Sequence, residues 1–299
     1  MQLGARLQLL TTTEAADYLR LRERKLYELV ANRQIPCTKV TGRWLFSRAD
    51  LDRWLLAGMA RPEGMVPAVP PSIVGGSHDP LLQWALAESR AGLAILPEGS
   101  QAGFERLLKG EVVAAAIHFH DLDGQDSDAN VAVVRQQVSL YDAVLLGFAA
   151  REQGLLVPLG NPQALTGLAQ ARDQGLRLVV RPDGAGAQQL LQSLLRRDGL
   201  ALCQFRHTVM ASTGPDVAQA IRADRADCGI ATRAVASAAG VGFVPLCFER
   251  FDLLMRQRDY FRPPMQRLVA LLRDARFASQ ASELGGFDVA DAGQVRWSP

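Results

Sequence analysis

Two short turns in this chain carry the residue types that hold small anions. Gly75-Gly76-Ser77-His78-Asp79-Pro80 and Asp183-Gly184-Ala185-Gly186-Ala187 each follow a strand-like apolar run and precede a stretch of helical period. At such a junction free backbone N–H groups and the positive end of a helix dipole aim at one place, so an anion is stabilised there. Ser77 and Ser100, each after an expected strand end, are the candidate hydroxyl donors, and Gly184, Ala185, Gly186 and Ala187 are candidate backbone donors. His78 either touches the ligand or caps the adjoining helix. Arg151 and Arg181 either anchor a ligand or form surface ion pairs. Tyr141 either lines the cleft or packs a crossover, and His118 is a further candidate ligand contact. The spacing of His118, His120, Asp121 and Asp123 could bind a metal, but an alternating strand followed by an acidic loop is the favoured account, and no metal site is assigned.

A nucleophile needs a base within reach. Ser77 and His78 are neighbours on one turn, a poor geometry for such a pair, and the sequence has no G-x-S-x-G, no Walker loop and no strand-borne G-x-G-x-x-G. Catalysis and a bound cofactor are therefore not expected.

The elements that must position these groups follow an alternation. SIVGGS, GLAILP and VVAAAIHF alternate with helical stretches, and LRLVVRP, CQFRHTV and CGIAT repeat the pattern further on. Such alternation predicts α/β architecture with mostly parallel sheets. Between the two series VSLYDAVLLGFAAREQGLLVPLGNP reads as a β-rich passage from one lobe to another. A cleft between two lobes, each offering a helix start, is the expected site.

The N-terminal part is different. Residues 1–62 hold eleven Lys/Arg against six Asp/Glu, whereas the remainder of this 299-residue chain is net acidic. Thr11 and Glu14 form a capping-box pattern that opens one helix. Leu26, Leu29 and Val30 put an apolar stripe on a second, whose other face carries Arg22, Arg24, Lys25, Glu28 and Asn32. Val40, Trp44 and Phe46 flank a tight turn at Thr41-Gly42, with Lys39 and Arg43 near its tip. Ser47 and Asp50 can cap a third helix bearing Leu51, Trp54 and Leu55. A helix with one face locked to a core can offer the other to the major groove, and a basic hairpin tip can reach phosphate. Tyr27, Trp44 and Trp54 are read as core.

The segment from Thr11 to Leu55 resembles the excisionase-like and MerR-like winged helix-turn-helix family: capping box, helix pair, Gly-Arg wing and R-x-D-L-D-x-W closing helix occur in order. Arg20 stands where a turn glycine is common and Arg22 where a capping Ser or Thr is common. The remainder resembles the periplasmic-binding-protein-like domains that bacteria join to helix-turn-helix modules. G-S-H-D-P at 76–80, R-E-Q-G-L at 151–155, G-N-P at 160–162, R-P-D-G-A-G at 181–186 and R-A-D-C-G-I at 225–230 carry that likeness. Related domains occur in molybdate-binding proteins and beside molybdenum-cofactor enzymes, so the resemblance implies a molybdate- or tungstate-like oxyanion or a small carboxylate such as formate. Where relatives carry hydroxyls and an arginine in the second turn, this chain has Ala185, Ala187 and Gln188.

The resulting expectation is α/β: a winged helix-turn-helix domain at 1–60, a proline- and glycine-rich linker at 61–72, and a two-lobed (type II) ligand-sensing domain at 73–299. The implied partners are double-stranded DNA, a small anion and a second copy of the chain. The competing classes are an α/β enzyme or molybdenum-cofactor-related binding protein with an accessory DNA-binding domain, and an architectural protein. Four cysteines without C-x-x-C pairing suggest a reducing compartment, and with no signal-like segment the expected location is cytoplasmic, away from the membrane.

Overall fold

The computed structural model describes residues 8–40, 42–59, 69–120 and 128–299. Thr41, Asp121, Asp123 and most of the proposed linker lie outside them. The chain divides into two compact units, Met1–Val66 with Arg135–Asp142, and Pro67–Val134 with Ala143–Pro299.

In the first unit β1 (Leu9–Leu10) leads into α1 (Thr12–Tyr18), α2 (Glu23–Ala31), β2 (Thr38–Val40), β3 (Arg43–Ser47) and α3 (Arg48–Ala57). Local chemistry sets the boundaries. Thr11 Oγ1 accepts from Glu14 N, while the Glu14 carboxylate accepts from Thr11 N at 2.8 Å, completing the capping box. Ser47 Oγ accepts from Asp50 N and starts α3. Arg20, between α1 and α2, has φ 55°, the left-handed conformation that explains why glycine is common there. Arg22 is the N-cap of α2 and makes no side-chain capping bond. Ala15, Ala16, Leu26, Val30, Ile35, Phe46 and Leu51 form the core, with Trp44 and Trp54 packed against it. Tyr27 departs from expectation. It is 49% exposed, because it stands one position off the buried stripe of Leu26 and Val30.

The second unit opens with a first lobe: β4 (Ile73–Gly76), α4 (Pro80–Glu88), β5 (Ala94–Pro97), α5 (Ser100–Lys109), β6 (Ala114–Ile117) and α6 (Ala129–Gln136). The long β7 (Ala143–Val157) follows. The second lobe adds α7 (Leu168–Asp173), β8 (Arg177–Val180), α8 (Gly186–Arg197), β9 (Arg206–Met210), α9 (Gly214–Arg222), β10 (Cys228–Thr232) and α10 (Arg233–Ala239). Then β11 (Gly242–Arg256) returns, and α11 (Gln257–Tyr260), α12 (Pro263–Leu272), α13 (Ala275–Leu284), β12 (Phe287–Asp288) and β13 (Val295–Trp297) complete the unit.

The sheet order is β5-β4-β6-β11-β7-β10-β8-β9, with β12 and β13 on β7. Each lobe has a parallel set, β5-β4-β6 in one and β10-β8-β9 in the other. The expectation of mostly parallel sheets needs one amendment. The 15-residue strands β7 and β11 pair antiparallel along their whole length and link the lobes: β11 joins β6 through Asp252–Met255, and β7 joins β10 through Gln153–Leu156. Their register slips at Pro245/Cys247 and Phe251/Asp252, flanking the crossing point. A large apolar cluster containing Phe148, Phe251 and Phe277 fills the first lobe, and two clusters around Leu191 and Val217 fill the second.

Glycines bring α5 against β4. A Cβ on Gly103 would collide with the backbone of Gly76, and one on Gly76 with the carbonyl of Ala116. Without side chains between them, helix and strand approach closely, and the start of α5 is carried to the end of β4. Among the described residues no helix is long and apolar enough to cross a membrane.

Candidate functional site

The ends of β4, β6, β8 and β10 face one cavity between the two lobes. Ser77, His78, Gly99 and His118 line it from the first lobe; Arg181, Ala185, Gly186, Ala187, Ser212, Thr213, Gly214 and Thr232 from the second; and Arg151 and Gln153 from β7. Its volume is about 40 Å³. One water needs roughly 10–15 Å³ on this measure, so the space suits a ligand of a few heavy atoms.

Helix starts dominate the lining. α5 and α8 open at Gly99 and Ala185, neither of which caps with its side chain, and the first-turn residues Gly186 and Ala187 of α8 line the cavity. α9 opens beside them at Thr213, whose hydroxyl is taken by Asp216 at 2.7 Å. The three helix dipoles add positive potential in one small space.

Arg181 supplies a full charge. Its Nη2 donates to Ser212 O at 2.7 Å, and its backbone N–H donates to the buried Gln188 side chain at 2.9 Å. Its Nε is buried and has no partner. Burial pulls the guanidinium down to about 10, slightly offset by Asp216, so it stays charged at neutral pH. Gln153 Oε1 and His78 Nδ1 are likewise buried without a partner. A buried polar atom left unpaired costs about 1–3 kcal/mol, and a bound polar ligand removes that cost.

Beneath the cavity lies a buried ionic group. Arg151, 1% exposed, donates from Nη1 to Asp79 Oδ2 at 3.0 Å and from Nε to Glu249 Oε1 at 3.0 Å, with Nη2 also on Glu249. Its guanidinium stacks 3.8 Å from the centre of the Phe251 ring. Gln153 Nε2 donates to the same Glu249 oxygen at 2.7 Å, while His118 Nδ1 and His120 Nε2 lie 3.0 and 2.8 Å from the other. Burial outweighs these neighbours at His118 and lowers it to about 4. For Glu249 the balance is reversed: burial opposes the charge, yet His118 and Arg151 hold the carboxyl well below its usual range.

The structure gathers seven of the proposed ligand residues at the cavity: Ser77, His78, His118, Arg181, Ala185, Gly186 and Ala187. Three others are placed differently. Ser100 is fully buried below the surface, where its hydroxyl accepts from His118 N at 3.0 Å and lies 3.0 Å from Ser77 Oγ. It holds Ser77 in place and does not itself line the cavity. Gly184 lies at the lobe contact, its carbonyl accepting from Gln101 N at 3.4 Å. Tyr141 belongs to the segment grouped with the first unit; the cavity lining lacks it, because β7 begins only at Ala143. The cap of α4 is Asp79, not His78: its Oδ1 accepts from Leu82 N at 3.0 Å. Arg151 is deeply buried, which excludes the surface-pair reading. Sequence reasoning gave Asp79 only as part of the 75–80 turn and missed Gln153, Glu249 and the Ser212–Gly214 turn. Only the last had a local signal, the capping pattern Thr213-x-x-Asp216.

The proposed DNA-facing residues share the first unit. Arg22, Arg24, Lys25, Glu28, Asn32, Lys39 and Arg43 are all exposed, five at the start or along α2 and two on the β2–β3 hairpin. Lys25 pairs with Glu28 at 2.8 Å, and Lys39 lies over the Trp44 ring.

A PBP superfamily domain model matches residues 83–273, and a helix-turn-helix domain model matches residues 9–59. The chain belongs to the PBP superfamily and joins that ligand-binding architecture to a helix-turn-helix domain. It is 20% identical to the uncharacterized protein YvgK of Bacillus subtilis (strain 168), over 95% of this chain and 96% of that one. A second relative, an uncharacterized protein in the 5′ region of a 2Fe-2S ferredoxin gene of Clostridium pasteurianum, is 25% identical over 33% of this chain and 81% of its own. Among solved structures the fold is shared with a tungstate ABC transporter protein of Geobacter sulfurreducens: TM-score 0.51, 14% identity, 72% of this chain and 99% of that one. It is shared equally with a putative phosphate ABC transporter substrate-binding protein of Clostridium perfringens holding phosphate: TM-score 0.51, 11% identity, 70% and 96%.

Lobe closure depends on Gly186, since a Cβ there would fall onto the ring and carbonyl oxygen of His118 across the cavity. Overpacking costs about 1–3 kcal/mol, so Gly186→Ala is expected to lower the melting temperature by several degrees. Gly58→Ala, whose new carbon meets only backbone oxygens at 3.5 and 3.9 Å, serves as the neutral control. An unchanged melting temperature for Gly186→Ala would show that the lobes do not meet there.

Proposed function

We propose that this protein is a DNA-binding transcription regulator, working in the cytoplasm, that senses a small anion held between the lobes of its C-terminal domain. The observation that carries the reading is Arg181 Nε: a buried, charged donor without a partner, on a cavity into which three helices point their N-termini. The volume admits a tetrahedral oxyanion or a small carboxylate. Molybdate, tungstate and formate remain the first compounds to test, and the oxyanions named in the two solved neighbours add phosphate. Gln153 Oε1 narrows the choice. Its amide nitrogen is committed to Glu249, so its free oxygen asks for a donor, which a hydroxyl-bearing anion or an ordered water supplies.

The site residues follow from this reading. Arg181, Ser77, His78 and the backbone of residues 184–187 contact the ligand, Ser100 positions Ser77, and His118 closes the wall. Removing a hydrogen bond to a charged group costs about 1.5–3 kcal/mol, so Arg181→Met is expected to weaken binding of the best anion roughly 10–150-fold. Calorimetry with molybdate, tungstate, phosphate, sulfate, formate and a small hydroxy acid reads this out. Unaltered affinity in Arg181→Met, or no binding of any of these anions to the wild type, would contradict the reading.

On the DNA side, residues 1–60 form the binding domain, with Arg22, Arg24, Lys25, Glu28 and Asn32 toward the major groove and Lys39 and Arg43 toward phosphate. One module of this size buries little DNA surface, so a homodimer reading a paired half-site is proposed. Titration of promoter DNA across salt concentrations is expected to show a steep slope that falls by about one in Arg43→Ala. Sedimentation of the same complex is expected to show two chains per duplex. A salt-independent affinity or a one-chain complex would count against this part.

A further inference from the structure

The buried group at the crossing of β7 and β11 contains more than an ion pair. Glu249 uses its two carboxylate oxygens differently. Oε1 accepts from Arg151 and from Gln153, whereas Oε2 faces His118 Nδ1 at 3.0 Å and His120 Nε2 at 2.8 Å. The two imidazoles are positions i and i+2 of an extended segment following β6, which places them on one side of it. They stand edge to face, with ring centres 5.9 Å apart.

We propose that His118, His120 and Glu249 form a three-ligand site for a divalent transition metal ion of the zinc class. The three ligand atoms lie within 4.8 Å of one another. Ligands bound about 2.1 Å from a common ion are at most about 4.2 Å apart, so a small side-chain adjustment brings them to a shared centre. Two imidazoles and a carboxylate are a donor set that suits zinc, iron or nickel and leaves a coordination position open. The outer contacts fit as well. Arg151 and Gln153 fix the carboxylate through Oε1 and turn Oε2 toward the imidazoles, the kind of orienting bond that ligating carboxylates receive.

The charge balance points the same way. Arg151 is shared between Asp79 and Glu249, so two buried carboxylates divide one guanidinium. Asp79 is offset by the first turn of α4, which it caps. Among the described residues Glu249 has only the shared guanidinium, one amide and the two imidazoles. A cation at Oε2 completes its neutralisation. The inference concerns the metal alone and stands whether or not the cavity takes an anion.

The test uses the full chain, stripped with a chelator and titrated with Zn²⁺ against a chromophoric competitor in buffer free of other anionic ligands. One ion per chain is expected. His120→Gln keeps an amide at the same place and is expected to weaken Zn²⁺ binding by more than the roughly 10–100-fold that loss of an outer-shell contact costs. Circular dichroism of this variant checks its fold. X-ray absorption at the zinc edge of the wild type gives a second measure, expected to show two imidazoles with oxygen and no sulfur. Absence of stoichiometric Zn²⁺, equal affinity in His120→Gln, or thiolate ligation by the cysteines would each overturn the proposal, leaving Glu249 as the acceptor for two imidazole N–H groups.

Discussion

Arg151 is held in the dry interior between Asp79 and Glu249, at the point where β7 and β11 pass from one lobe to the other. Glu249 is its direct partner across the two strands, and Asp79 ties the pair to the start of α4. Taking such charges out of water is costly, and only the mutual pairing and the added hydrogen bonds make it tolerable. The arrangement is therefore intolerant of partial change: losing one member leaves a bare buried charge, at about 3–5 kcal/mol. Three of the elements that face the cavity are tied to this group, through Asp79, His118 and Gln153. β4 delivers Ser77, β6 delivers His118, and β7 delivers Gln153.

Above this floor the electrostatics change sign. The floor carries the carboxylates, whereas the cavity is walled by helix starts and Arg181. The proposed anion would meet donors already aligned by the fold and bridge lobes that otherwise touch through small residues such as Gly99, Gly184 and Gly186. The cavity stays narrow because Gly186 of the second lobe sits against the ring and carbonyl of His118 of the first.

Much of this was legible in the sequence because it is local. The capping box at Thr11 and Glu14, the left-handed position at Arg20, the cap at Ser47 and the two glycine-bearing turns before α4 and α8 each depend on residues within a few positions of one another. The alternation of strand and helix likewise reported two lobes. What escaped depends on contacts far apart in sequence. Glu249 lies 98 residues from Arg151 and 131 from His118, and in the run FERFD it reads as an ordinary surface acid. β11 hides because its two halves serve different lobes and Pro245 interrupts it. Ser100 shows a related limit: a residue type announces a donor, while the direction it faces is set by packing, and Ser100 turns inward to His118.

Cleft and DNA-binding domain are proposed to form one device, in which the ligand prefers one arrangement of the lobes and DNA prefers one arrangement of the reading helices. Coupling of that kind is reciprocal. The most direct measurement is therefore a closed cycle: the affinity for promoter DNA with and without a saturating concentration of the tightest-binding anion, and the affinity for that anion with and without DNA. Both ratios are expected to change by the same factor, in the range of about 5–150-fold. An anion that binds firmly in the cavity while DNA affinity stays the same would contradict it.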